Sequence, residues 1–145
     1  MKTVLGIVMI VCALGLAIAP VFTDCESAGK MLTTADGRSV SMKCHWAGVA
    51  EVAAAIPLGI AGIFALRSRR KETLRFAAII GVASGLMAIL LPTLLIGTCG
   101  SAMMICNVLM RPILLASGIV AIAASIVLFF TAKESEAPAP AQAAA

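Results

Sequence analysis

The sequence predicts an all-α integral membrane protein, a bundle of four helices, and three observations carry that prediction. Of its 145 residues, 61% are hydrophobic and only 12% are charged, too few polar groups to cover a water-soluble domain of this size. The apolar residues fall into four runs of about twenty, the length that crosses a hydrocarbon core roughly 30 Å thick at 1.5 Å per residue. Five of the eleven basic residues, Arg67, Arg69, Arg70, Lys71 and Arg75, crowd into one nine-residue loop between the second and third runs. Clustering beside a span sets topology and is not a nucleic-acid footprint. The chain therefore reads as one membrane domain over residues 1–132, with the lipid bilayer as its solvent.

The first span covers residues 4–22. Ala17-Ile18-Ala19 resembles a signal-peptidase site, but the run is long for a signal core and Pro20 would follow the cut. It is read as uncleaved. Residues 23–43 form the one sizeable loop, balanced between Asp24, Glu26 and Asp36 and Lys30, Arg38 and Lys43. The turn signal Ala35-Asp36-Gly37-Arg38, followed by the alternating Arg38–Met42, predicts a small hairpin. The second span, residues 46–66, contains Pro57 and the small residues Gly48, Ala55, Gly59 and Gly62, which allow close helix approach. The third, residues 76–96, carries the pattern Gly81-x-x-x-Gly85, with Pro92 near its end. The fourth, residues 108–130, has a stripe of Ser117, Ala121 and Ser125. The tail, 133–145, is Ala/Pro-rich and is expected to be disordered.

With the N-terminus inside, Lys2, the five loop residues and Lys133 place seven basic residues in the cytoplasm against four outside, Lys30, Arg38, Lys43 and Arg111. That bias predicts both termini inside and a plasma (inner) membrane location. Met42-Lys43-Cys44-His45 is echoed 62 positions later by Met104-Ile105-Cys106-Asn107. Spans one–two and three–four then read either as parallel hairpin repeats or as two loops under one local constraint.

Four of the five cysteines, Cys25, Cys44, Cys99 and Cys106, fall on the outer side, while Cys12 lies within a span. In an oxidising compartment they are first disulfide candidates, with Cys25–Cys44 and Cys99–Cys106 favoured because those pairings close small loops. Two further readings stand beside it. A thiol–disulfide exchange protein passing electrons to a quinone would use the same cysteines, but needs a close Cys-x-x-Cys pair. Here eighteen and six residues intervene. A metal or haem site would draw on Met42, Cys44, His45, Met103, Met104 and Cys106, a soft set suited to Cu(I) or haem iron, with His45, Met42 and Met104 the single-residue metal candidates. No cofactor is firmly implied. Methionine is also a common apolar filler, and a His beside an interfacial Trp is commonly only hydrogen-bonded.

Glu51 lies about 7 Å of helix beyond Trp46, on the face of Cys44 and Gly48. Arg111 enters the fourth span at a matching depth, so a Glu51–Arg111 pair is expected, against which stands a proton-relay or ligand role for Glu51. The functional candidates are thus Met42, Cys44, His45, Trp46, Glu51 and Arg111. No nucleophile–base pair, phosphate loop or carboxylate pair marks an enzyme.

The outer Cys25, then Met42-Lys43-Cys44-His45-Trp46 and the stretch Ala47–Glu51, resemble the prokaryotic membrane family called domain of unknown function 4418. The resemblance covers the chain apart from the tail and implies a small multi-pass protein without bringing an activity. The expected function is an accessory or structural subunit of a larger membrane assembly, such as a transporter, partnered by other membrane subunits and capped by disulfides. The alternative is a redox, metal or haem protein using the Cys/His/Met cluster.

Overall fold

The computed structural model describes residues 1–27, 29–101 and 103–132, so the tail lies outside the described residues. Among the described residues four α-helices form: α1 (Lys2–Thr23), α2 (Lys43–Arg67), α3 (Lys71–Leu90) and α4 (Arg111–Thr131). With the turns that extend α3 and α4, all four are long and apolar enough to cross a membrane. Helices α2 and α3 start three and five residues ahead of the expected spans, because Lys43, Lys71 and Arg75 continue the backbone ladder while their charges stay outside the apolar stretch. Lys71–Arg75 is therefore helix, and the basic connection itself shrinks to Ser68–Arg70.

The expected hairpin is present. β1 (Leu32–Thr33) and β2 (Ser39–Val40) pair antiparallel, with Leu32 opposite Val40. The turn between them uses Gly37 at φ +74, a left-handed conformation that costs glycine little.

Two wide π-turns bound the loop between α3 and α4. The first, Leu91–Leu95, contains Pro92, whose missing N–H breaks the regular ladder. The chain responds by widening, and the N–H groups of Ile96 and Gly97 both donate to the Leu91 carbonyl at 3.1 Å. The second, Cys106–Met110, leads into α4 just before Pro112. Such turns often re-aim side chains at functional sites, and this one begins at a cysteine.

Helix α1 packs beside α2 and α4, and α3 beside α4 and α2, so each hairpin is also a packing unit. Small residues set the spacing. A Cβ on Gly62 would lie 3.0 Å from the Gly6 carbonyl and 2.8 Å from Ile10. A Cβ on Gly85 would lie 3.0 Å from the Gly118 carbonyl and 2.8 Å from Ile122. Both hairpins thus close on a glycine pair, Gly6–Gly62 near the start of α1 and the end of α2, and Gly85–Gly118 well inside α3 and α4. Large apolar side chains such as Phe22, Ile56, Phe76, Leu94 and Phe130 point outward, as a lipid-facing surface requires.

Candidate metal centre

The four cysteines expected on one side do meet at one end of the bundle. Cys25 follows the last turn of α1, Cys44 sits in the first turn of α2, Cys99 lies in the α3–α4 loop and Cys106 opens the π-turn before α4. All four sulfurs lie within 4.8 Å of one another. Cys25 Sγ is 3.5 Å from Cys106 Sγ and 3.6 Å from Cys99 Sγ, and Cys99 Sγ is 3.4 Å from Cys44 Sγ. Cys25, Cys44 and Cys106 are buried and Cys99 is half-buried.

The expected disulfides are therefore corrected. All four thiols are free, and none of these spacings approaches the roughly 2.05 Å of an S–S bond. The closest approaches also cross between the hairpins, loop cysteine to helix cysteine, where the expected pairings ran within each loop. Packing the two hairpins side by side brings the loop of one over the helix start of the other, which sequence separation does not reveal.

Each helix-start cysteine is followed by a polar residue that fastens the loop of its own hairpin. His45 Nδ1 lies 2.9 Å from Asp24 Oδ2 and 3.1 Å from Glu26 Oε2, while the Ser41 hydroxyl donates to Glu26 at 2.9 Å. Asp24 also accepts from the Ser27 N–H at 2.7 Å. Burial raises the Asp24 carboxyl, but the bonds from His45 and Ser27 outweigh it and hold the group below its ordinary range. Asn107 does the matching work. Its Nδ2 donates to the carbonyls of Cys99 and Ser101 at 2.6 and 2.9 Å, and its Oδ1 accepts from Thr98. Asp24, Glu26 and Asn107 were not singled out from sequence. The signal was there in the doublets Asp24-Cys25, Cys44-His45 and Cys106-Asn107.

The other expected candidates separate. Met42 Sδ approaches Cys99 Sγ at 3.9 Å, whereas Met104 packs on the apolar core and Met103 is exposed. His45 is engaged by carboxylates rather than thiols, with Trp46 edge-on at 5.8 Å and largely exposed. Asp24, Glu26 and His45 could also crowd round a cation, but they already satisfy one another.

The expected Glu51–Arg111 pair does not form. Glu51 is 0% exposed, and neither carboxylate oxygen has a hydrogen-bond partner among the described residues. Arg111 instead lies exposed beside a cavity of about 540 Å³ lined by Pro92, Thr98 and Asn107 among others. Equal depth along two helices does not fix the rotation of either about its axis.

Burial makes the two loop thiols, Cys25 and Cys99, resist ionisation. Burial, reinforced by contact with Cys44, pushes the Cys99 thiol up to about 11, and burial raises Cys25 further. The set could hold one soft or borderline ion at its centre.

Residues 2–131 match the model of one family, described as Domain of unknown function (DUF4418). No curated protein and no solved structure matches the chain.

Proposed function

Because the chain belongs to that family, and its description assigns no chemistry, we propose from the site geometry that this is a four-span membrane protein whose thiol end holds one four-thiolate metal ion, zinc foremost. The convergence of four cysteine sulfurs from four separate segments carries the proposal. Zinc–sulfur bonds of about 2.3 Å place the corners of a tetrahedron about 3.8 Å apart. The approaches of 3.4–3.6 Å lie just inside that value, so the sulfurs need to move only a little to share an ion. A four-iron cluster would hold its cysteines further apart around its own bulk, and haem iron takes only axial protein ligands.

Four thiolates complete a tetrahedral shell and leave no open position, the mark of a structural rather than a catalytic site. The ion would then tie the two hairpins to each other at one end, which the expected within-loop disulfides would not have done. The charge bias between the loops supports placing this end outside a plasma membrane and both termini in the cytoplasm. Reporter fusions at Arg70 should read cytoplasmic and at Asp36 external, and the reverse would overturn the orientation. Four spans with short loops leave little room for an independent substrate path, which supports an accessory role within a larger membrane assembly.

The decisive experiment is metal analysis of the full chain purified in detergent from zinc-replete cells. One zinc per chain is expected, and cobalt substitution should give the intense charge-transfer and visible bands of tetrahedral thiolate coordination. Protein that takes up neither metal, with all four thiols free to alkylation, would overturn the proposal.

A further inference from the structure

The bundle buries one acid for which the four-thiol centre has no use. Glu51 is wholly enclosed, faces the interior of α2 on the side of Cys44, Gly48 and Ala55, and leaves both oxygens without a partner among the described residues. It lies seven residues from Cys44, about 10 Å of helix further into the apolar layer. We propose that Glu51 is a proton-binding site of the membrane interior, occupied by a proton in the folded bundle.

The surroundings decide between a proton and a metal cation. A hard cation such as sodium or calcium needs several oxygen ligands, whereas neither carboxylate oxygen has a hydrogen-bond partner among the described residues and the residues that share its buried face, Ala47, Gly48 and Ala55, bring no side-chain oxygen. Of these neighbours, Gly48 itself is packed by Pro20 of α1 and Met110 of the π-turn before α4. A proton needs no such shell. It converts the carboxylate into a neutral acid at the one place where a bare charge has nothing to offset it.

The titratable groups that could compete are few. Within its apolar stretch α1 carries only Cys12, and α3 carries none between Arg75 and Leu95. After Arg111, which is exposed, α4 carries none to Thr131. Toward the thiol end lie Cys25, Cys44, Cys99 and Cys106, with the Asp24–His45–Glu26 network beyond them. None of these forms an ion pair with Glu51. Proton loss would leave an uncompensated charge in the core, so its reversal is linked to opening of the bundle at this level. This inference is independent of the metal proposal.

Infrared difference spectroscopy on the full chain in detergent, wild type against Glu51→Gln, reads the proton directly. At neutral pH the wild type should show the carbonyl stretch of a protonated carboxyl, shifted in heavy water and missing from the variant. Carboxylate bands at that pH in its place would overturn the proposal. Thermal unfolding gives a second arm. An unfolded Glu releases its proton above about pH 4.3, so a proton held on folding makes stability fall as pH rises. The variant should match the wild type only below about pH 4, under the unfolded value, and melt increasingly higher toward about pH 8 as the unfolded wild type ionises. A variant that melts lower at alkaline pH, or by a constant difference across the range, would mean that an ionised Glu51 has a hidden partner. Metal-stripped protein should give the same spectra, which separates failure here from failure of the four-thiol site.

Discussion

Cys44 and Cys99 bring their sulfurs to 3.4 Å across the boundary between the two hairpins, and Cys25 and Cys106 repeat the contact at 3.5 Å with loop and helix exchanged. The exchange is that of a twofold repeat: each hairpin gives one loop cysteine and one helix-start cysteine, and each meets its opposite number in the other hairpin. His45 and Asn107, each directly after a helix-start cysteine, complete the pattern by bonding back to their own loops. An ion at the centre would therefore join the hairpins through equal contributions from both.

If one ion is shared by all four sulfurs, zinc should stabilise the whole bundle. At a free concentration a hundred times the dissociation constant, the gain is about 2.7 kcal/mol. Thermal unfolding of wild type should rise with added zinc and fall with a chelator. Cys44→Ser and Cys106→Ser, on different hairpins, should each lose most of that response, and the double variant should lose little more. Two independent, additive losses would mean two sites.

The Asp24–His45 bond orients the cysteines beside it, so it should act on the metal as a supporting partner. Asp24→Asn and His45→Ala should each weaken zinc binding by roughly ten- to a hundredfold without removing the ion altogether. Competition against a chromogenic chelator measures this. Undiminished affinity in both variants would assign the bond to the loop alone.

Acid should loosen the same loop. The Asp24 carboxyl is held below its ordinary value, so its folded form binds fewer protons than the unfolded chain. That stability is present above the unfolded value of about 3.9 and is lost as pH falls through the lower folded one. Proteolysis within 29–41 should accelerate below about pH 4 in the wild type, and Asp24→Asn should remove the pH dependence. An unchanged cleavage rate on acidification would show that Asp24 does not hold the loop.

The glycine contacts should be sharply position-dependent. Gly62→Ala places a methyl 3.0 Å from the Gly6 carbonyl and 2.8 Å from Ile10, so α1 and α2 must separate. A cost of about 1–3 kcal/mol is expected. Gly59→Ala, one turn away on the same helix, meets only Ala13 at an ordinary 3.6 Å and should be neutral or stabilising. Equal effects at both positions would remove close packing as the cause.

The four helices and the hairpin were legible in the residues, because each rests on local chemistry. Twenty apolar residues in sequence can satisfy their backbone in a membrane only as a helix, and Gly37 marks the turn whatever surrounds it. The side on which the cysteines gather was legible too, since helix order fixes which loops share an end. Their pairing was not. Loop length favoured Cys25 with Cys44 and Cys99 with Cys106, but the packing of one hairpin against the other placed the closest sulfurs across the interface. Glu51 and Arg111 show the same division. Rise per residue gave their depth, whereas the rotation of α2 and α4, set by Gly48 against Pro20 and Met110 and by Gly118 against Gly85, turned Glu51 inward and left Arg111 exposed. Sequence alone determined what each segment is. Tertiary packing decided which side chains meet, because that depends on helix rotation and on contacts between residues distant in the chain.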